Sequence, residues 1–299
     1  MSTFADMKKG RKSQYDKLVE ETNKMQSGGK AKDERFWQPT VDEAGNGSAI
    51  IRFLPAVKGE DLPWVRLFSH GFQGPGGWYI ENSLTTLGAE DPVGEYNGQL
   101  WNNGTEAGKE QARKQKRRLG YISNIQVIKD PKNPSNDGGV FLYKYGKKIF
   151  DKINDLMHPE FEDEDAVNPF DFWEGANFRM KIRNVEGYRN YDKCEFDAVS
   201  VLHEDDVALE AIWNKQYSLE SFVASDQFKT YAELKAKMIR ALGLSDASTE
   251  DDHFSEDVTK TEERLGKKDS ESKREVATET SADADEDDWL KNIQNELED

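Results

Sequence analysis

Residues 120–153 read GYISNIQVIKDPKNPSNDGGVFLYKYGKKIFDKI. Gly120–Lys129 is rich in β-branched residues and stops at Asp-Pro, the signature of a strand. The next ten, Asp130–Gly139, concentrate Pro, Asn, Asp and Gly, which turn the chain. Val140–Tyr145 begins a second strand. Gly146 then breaks the alternation, and Ile149, Ile153 and Leu156 share one face of a helix predicted over Lys147–Met157. Strand, long turn, strand and helix form the unit around which the rest is read.

The same signals recur on both sides. SAIIRFLP (Ser48–Pro55), WVRLFSHGF (Trp64–Phe72), WYIE (Trp78–Glu81) and NFRMKIRNV (Asn177–Val185) read as strands bounded by Gly, Pro or Asp. A second helix is predicted over Tyr231–Leu242, with Thr230 and Glu233 as a capping box and Gly243 as its stop. Short strands with an interposed helix predict a mainly β fold with helices (α+β), built on a small barrel of the oligonucleotide-binding (OB) kind.

At 299 residues, with 35% apolar and 33% charged residues and a mean hydropathy of -0.88, the chain is more polar than a compact globule. A folded body with disordered attachments is the expectation. Of the net charge of -17, residues 246–299 supply -13, leaving -4 for residues 1–245. Three parts follow: a basic N-terminal arm (1–33), a core (34–245) and an acidic disordered tail (246–299). The lone cysteine, Cys194, excludes an internal disulfide and a multi-thiolate zinc site. No apolar run reaches the roughly 20 residues that span a bilayer, and Asp6, Asp16, Glu20 and Glu21 oppose a transit peptide. A soluble intracellular protein with no membrane partner is expected.

Three segments pair cations with tyrosines. Arg113, Lys114, Lys116, Arg117 and Arg118 precede Tyr121. Tyr143 and Tyr145 precede Lys147 and Lys148, which open a helix with the wrong sign for its dipole unless an anion docks there. Arg179, Lys181 and Arg183 alternate along a strand ahead of a hairpin-like turn carrying Tyr188, Arg189 and Tyr191. Cations for phosphates and aromatic faces for unstacked bases suit a single strand of nucleic acid. Each cluster is also readable as a solvated face; their repetition in an acidic protein favours binding. The expectation is one trough in which all three converge. An enzyme reading remains: EFEDEDAVNPFD (Glu160–Asp171) offers Glu162, Asp163, Asp165 and Asp171 to a metal-dependent nuclease. So does an RNA-binding reading, because OB-folds serve both polymers.

The blocks AGNGSAIIRFLP, HGF…GGWYIE, NIQVIKDP…VFLYKYGKKIFDKIN and WEGANF…GYRNYD resemble the helix-destabilising single-stranded DNA-binding proteins of T-even-like bacteriophages, from about Phe36 to Phe196. The resemblance implies an OB-fold core that coats single-stranded DNA cooperatively and without sequence preference. It also implies roles in phage replication, recombination and repair, in the cytoplasm of the infected bacterial host. The family's DNA-contacting positions fall on Arg52, Arg117, Tyr121, Tyr143, Tyr188 (phenylalanine in other members) and Tyr191. By its own neighbours Arg52 reads as a strand surface residue. Lys116, Arg118, Lys147, Lys148 and Arg183 join the expected single-strand-binding set. The family's basic motif for contacts between neighbouring monomers is matched by Arg11, Lys12 and Ser13. In the tail, Leu290, Ile293 and Leu297, with Trp289, form an apolar stripe suited to replication and recombination partners. The family's structural zinc is held by one histidine and three cysteines. His70 stands at the histidine position, but Ser83, Asp91 and Gly94 occupy the others, so loss of the metal is expected, with a metal-free loop from Ser83 to Lys109 containing Trp101.

Overall fold

The computed structural model describes residues 33–161 and 163–244. Arg11, Lys12 and Ser13 of the arm, Trp289, Leu290, Ile293 and Leu297 of the tail, and Glu162 lie outside the described residues. Within them the first elements are β1 (Gly47–Phe53), β2 (Trp64–Gly74), β3 (Gly77–Asn82), α1 (Pro92–Asn102) and α2 (Glu106–Lys114). Then come β4 (Arg118–Lys129), β5 (Val140–Tyr145), α3 (Lys147–Met157), β6 (Ala176–Val185), β7 (Tyr188–Asn190), β8 (Glu195–Val199), α4 (Asp206–Trp213) and α5 (Tyr231–Leu242). The fold is α+β, and its strands pair antiparallel. The described chain divides into two compact units, residues 33–64 with 121–219, and residues 65–120 with 220–244.

In the first unit β4 lies between β1 and β5, and β1 lies between β4 and β6, which also pairs with β7 and β8. Alternation along β6 buries Phe178, Met180 and Ile182 and exposes Arg179, Lys181 and Arg183. Phe53 anchors the interior, with ring centroids 5.5 Å from Tyr145 and Phe170 and 5.9 Å from Phe178. The long turn is organised by Asp130. Its Oδ1 accepts from the amides of Lys132 and Asn133, and its Oδ2 from Asn136 Nδ2 and Trp37 Nε1. The β6–β7 hairpin turns at Glu186 (φ 56°) and Gly187 (φ 91°), the pair of left-handed residues that matches strand twist.

In the second unit the β2–β3 hairpin and α5 share a core of Phe72, Tyr79, Leu84, Val93, Leu234, Met238, Ala241 and Leu242. The hairpin tip touches the end of α5: the Gly76 amide donates to the Ala241 carbonyl at 2.9 Å. A Cβ at Gly76 would sit 1.8 Å from the Arg240 carbonyl oxygen, so no side chain fits there. The expected α5 cap is present, with Thr230 and Glu233 bonded reciprocally and Gly243 left-handed at φ 64°.

One expectation is corrected here. The region from Ser83 to Lys109 is not a loop: it contains a 3-10 turn (Leu84–Leu87), all of α1 and the start of α2. Asp91 caps α1 by accepting from the Val93 and Gly94 amides, with Pro92 in the first turn, and Thr105 caps α2. Gly94 and Gly98 inside α1 weaken its sequence signal, since helix-interior glycine is disfavoured.

Candidate nucleic-acid interface

The first unit gathers tyrosines by strand register. Tyr121 lies opposite Tyr145 and Ser123 opposite Tyr143, so these side chains leave β4 and β5 on the same, inward side. Tyr143, Tyr145, Tyr121 and Phe150 form a stacked column with successive centroids 5.4, 5.7 and 4.0 Å apart. Tyr145 and Ser123 share a hydrogen bond of 2.9 Å. Burial pushes the Tyr143 hydroxyl well above its usual pKa, with Tyr191 and Cys194 adding and Arg189 opposing. Tyr121, Tyr143 and Tyr191 are all buried, Tyr143 to 3% exposure. Tyr121 and Tyr143 each stack on Tyr145, and the partly exposed Phe150 stacks on Tyr121 at one end of the column.

At that end α3 begins with Lys147 and Lys148, as expected, with no acidic residue in its first turn. Gly146 offers no side-chain cap. Lys147 Nζ meets Asp151 Oδ2 one turn along, at 2.7 Å, a pair that softens the unfavourable dipole sign.

Arg52 overturns its reading as a surface residue. It is 0% exposed, and its Nη2 donates to the carbonyls of Asp171 (3.0 Å) and Ser200 (2.6 Å). Burial draws its pKa down to about 10 against the Asp171 charge, so it stays cationic at neutral pH. Asp171 is engaged in turn: its Oδ1 accepts from the amides of Trp173 and Glu174. Among the described residues no cluster of three or more acidic, histidine or cysteine side chains is arranged to hold a metal.

The expected single trough is not what this unit shows. Arg183 leaves β6 on the face opposite Met180 and Ile182, away from the tyrosine column. Tyr188, 40% exposed, pairs with Val185 on that same outer face. Tyr121, Tyr143 and Tyr191 are therefore separated from Arg183 and Tyr188 by the thickness of a sheet. Residue order cannot reveal this, because it does not say which face of each strand the interior takes.

In the second unit, exposed Arg117 lies 4.4 Å over the Phe68 ring, and Arg113, at the end of α2, lies 5.4 Å from the Trp101 ring. Lys116 is exposed and Arg118 half-buried. The basic run is thus the end of a helix and the start of a strand, held partly by aromatic faces.

A family model described as "gp32 DNA binding protein like" matches residues 45–242. The protein named single-stranded DNA-binding protein in Enterobacteria phage T2 is 37% identical over 222 residues, covering 72% of each chain. Its namesake in Enterobacteria phage T4 is 36% identical over 222 residues, also 72% of each. A shorter match, to the protein so named in Escherichia phage SV14, is 46% identical over 68 residues, 22% of this chain and 60% of that one. The chain belongs to the gp32-like DNA-binding family.

Against that family, the positions expected to carry its zinc show a different chemistry. His70 Nδ1 donates to the Gln115 carbonyl at 2.9 Å, and its Nε2 faces Asp91 Oδ1 at 3.3 Å. Asp91 Oδ2 accepts from Ser83 Oγ (2.8 Å) and the Leu84 amide (3.1 Å), while Oδ1 accepts from the Val93 and Gly94 amides. Burial works to raise the Asp91 pKa, but His70, Ser83 and the Gly94 amide hold it down at about 2. A tetrahedral zinc needs deprotonated soft donors. Here Gly94 has no side chain, Ser83 is a hydroxyl donor, and the Asp91 oxygens are taken by four N–H and O–H groups. The residues present do not fit the metal.

Proposed function

We propose that this member of the family binds single-stranded DNA without regard to sequence, coating and protecting it during phage DNA replication, recombination and repair in the infected cell. The observation that carries the reading is a match of 222 residues to relatives named single-stranded DNA-binding proteins. That match is joined by the stacked Tyr143, Tyr145 and Tyr121, with Lys147 and Lys148 opening the helix whose Phe150 stacks on Tyr121. The antiparallel strands β1, β4, β5, β6 and β8, with α3 after β5, support an OB-type core. Bases add to the column where Phe150 now closes it, and the lysines of α3 neutralise the adjoining phosphates.

Arg11, Lys12 and Ser13 of the basic arm contact a neighbouring copy on the strand, and the tail from 246 to 299 presents Trp289, Leu290, Ile293 and Leu297 to replication and recombination proteins. The zinc of other members is absent from this one, its place taken by the Asp91 hydrogen bonds. Titration of a fluorescent oligo-dT against salt tests the central claim. Affinity falls linearly with log salt, at a slope of about -0.7 per phosphate neutralised. A salt-independent affinity, or none, overturns it. A matched oligo-U competitor separates DNA from RNA preference.

A further inference from the structure

The outer face of the first unit carries a groove of about 730 Å³ whose floor is β1 and β6. Six cations line it: Lys129, Lys132, Arg179, Lys181, Arg183 and Lys193. Only Asp42 and Glu195 oppose them there. Arg179 pairs with Asp197 at 3.4 Å, whereas the other five form no ion pair with a described residue. A protein with a net charge of -17 has concentrated exposed positive charge on one face of one sheet.

The spacing is regular. Arg179, Lys181 and Arg183 are alternate residues of one strand, so their side chains leave the sheet roughly 6.8 Å apart. Lys129 and Arg179 both lie opposite Ile50, one on each neighbouring strand, which widens the row across the sheet. Such a row follows a polymer that repeats one negative charge per unit. At the end of the row, past Arg183, exposed Tyr188 supplies an aromatic face on the same side. An acidic peptide would need the cations alone; cations followed by a stacking ring suit a nucleic-acid strand.

The tyrosine column lies on the other side of this sheet. Phe178, which shares the inward face of β6 with Met180 and Ile182, packs on Phe53, and Phe53 packs on Tyr145. One short strand cannot touch both faces at once. We infer that the groove is a second track for the backbone of single-stranded DNA, distinct from the track along the tyrosine column. The inference rests on the single-strand-binding reading and adds a second strand, or a returning segment of the same one, to each protein.

The test is saturation of the full chain at low salt with a labelled oligo-dT of about eight nucleotides, within the usual span for one OB-fold. It is repeated on the triple variant Lys129→Ala, Lys181→Ala, Lys193→Ala. Two oligomers per chain, falling to one in the variant with the tighter phase unchanged, is the expected result. One oligomer per chain in both proteins overturns the second track. So does loss of the tighter phase in the variant, which would make the groove the primary track. No binding by either protein sinks the parent reading as well, and so differs from failure of the inference alone. Carbodiimide coupling of Lys129, Lys181 or Lys193 to carboxylates of residues 246–299 in the DNA-free chain would name the acidic tail as occupant and overturn the proposal; absence of those products supports it.

Discussion

Asp91 shows how much one side chain can organise. Its buried carboxylate accepts from a hydroxyl and three backbone amides while facing the buried His70 imidazole. Replacing it with alanine leaves those donors without acceptors and removes the cap of α1. Each buried unpaired group costs about 1–3 kcal/mol and a lost cap about 1 kcal/mol. Asp91→Ala is therefore expected to lower stability by roughly 3 kcal/mol or more in urea unfolding. The same arrangement predicts that dialysis against a chelator leaves Tm unchanged and that the purified protein holds far less than one zinc per chain. Arg52 is a parallel case: Arg52→Met strands the carbonyls of Asp171 and Ser200, and a loss of about 2–4 kcal/mol is expected. A fall in DNA affinity that tracks this loss of folding would assign the residue to the architecture of the site. The Asp-Pro of 91–92 and the histidine at 70 are visible in the sequence. That they meet was not, because the 20 residues between them must fold before the distance is set.

At the scale of elements, hairpin β2–β3 and helix α5 are joined by two contacts that make opposite demands. At the tip, Gly76 admits no side chain against the Arg240 carbonyl. Gly76→Ala must push the hairpin from the helix, and a drop in Tm of several degrees is expected by calorimetry, larger than for Gly98→Ala, where a Cβ meets nothing. Along the strand, Glu81 bonds both Lys229 and Lys237, the latter at 2.6 Å. Burial works to raise its pKa, but the two lysines hold it below the ordinary carboxylate value. A depressed folded-state pKa stabilises at pH above the unfolded value and is lost as pH falls through the folded one. The Tm difference between the parent and Glu81→Gln should thus be present at pH 7 and shrink once pH drops below about 4. The capping box of α5, the boundaries of α3 and the strand Val140–Tyr145 were all legible beforehand, since each is written in neighbouring residues. Helix α4 and strands β7 and β8 were not: they are short, and their apolar residues are ordered by packing, as Leu209 and Ile212 are against Leu54 and Phe172.

For the whole molecule, charge is divided by position along the chain. Removing residues 246–299 changes the formal net charge from -17 to -4. If the tail's field opposes DNA, the truncated chain binds oligo-dT more tightly, and the gain fades as salt shortens the screening length from about 10 Å at 0.1 M to 3 Å at 1 M. An equal gain at every salt concentration would indicate that the tail acts by steric cover. The sequence alone determined the α+β class, the family, the acidic end and the three segments where cations meet tyrosines, because periodicity, caps and composition are properties of residues close together in the chain. Only the tertiary structure decided that Tyr121, Tyr143 and Tyr191 turn inward while Arg183 and Tyr188 turn outward, and that Arg52 is buried. Those outcomes depend on which face of each strand is covered by partners tens of residues away, and burial of that face is a property of the assembled sheet.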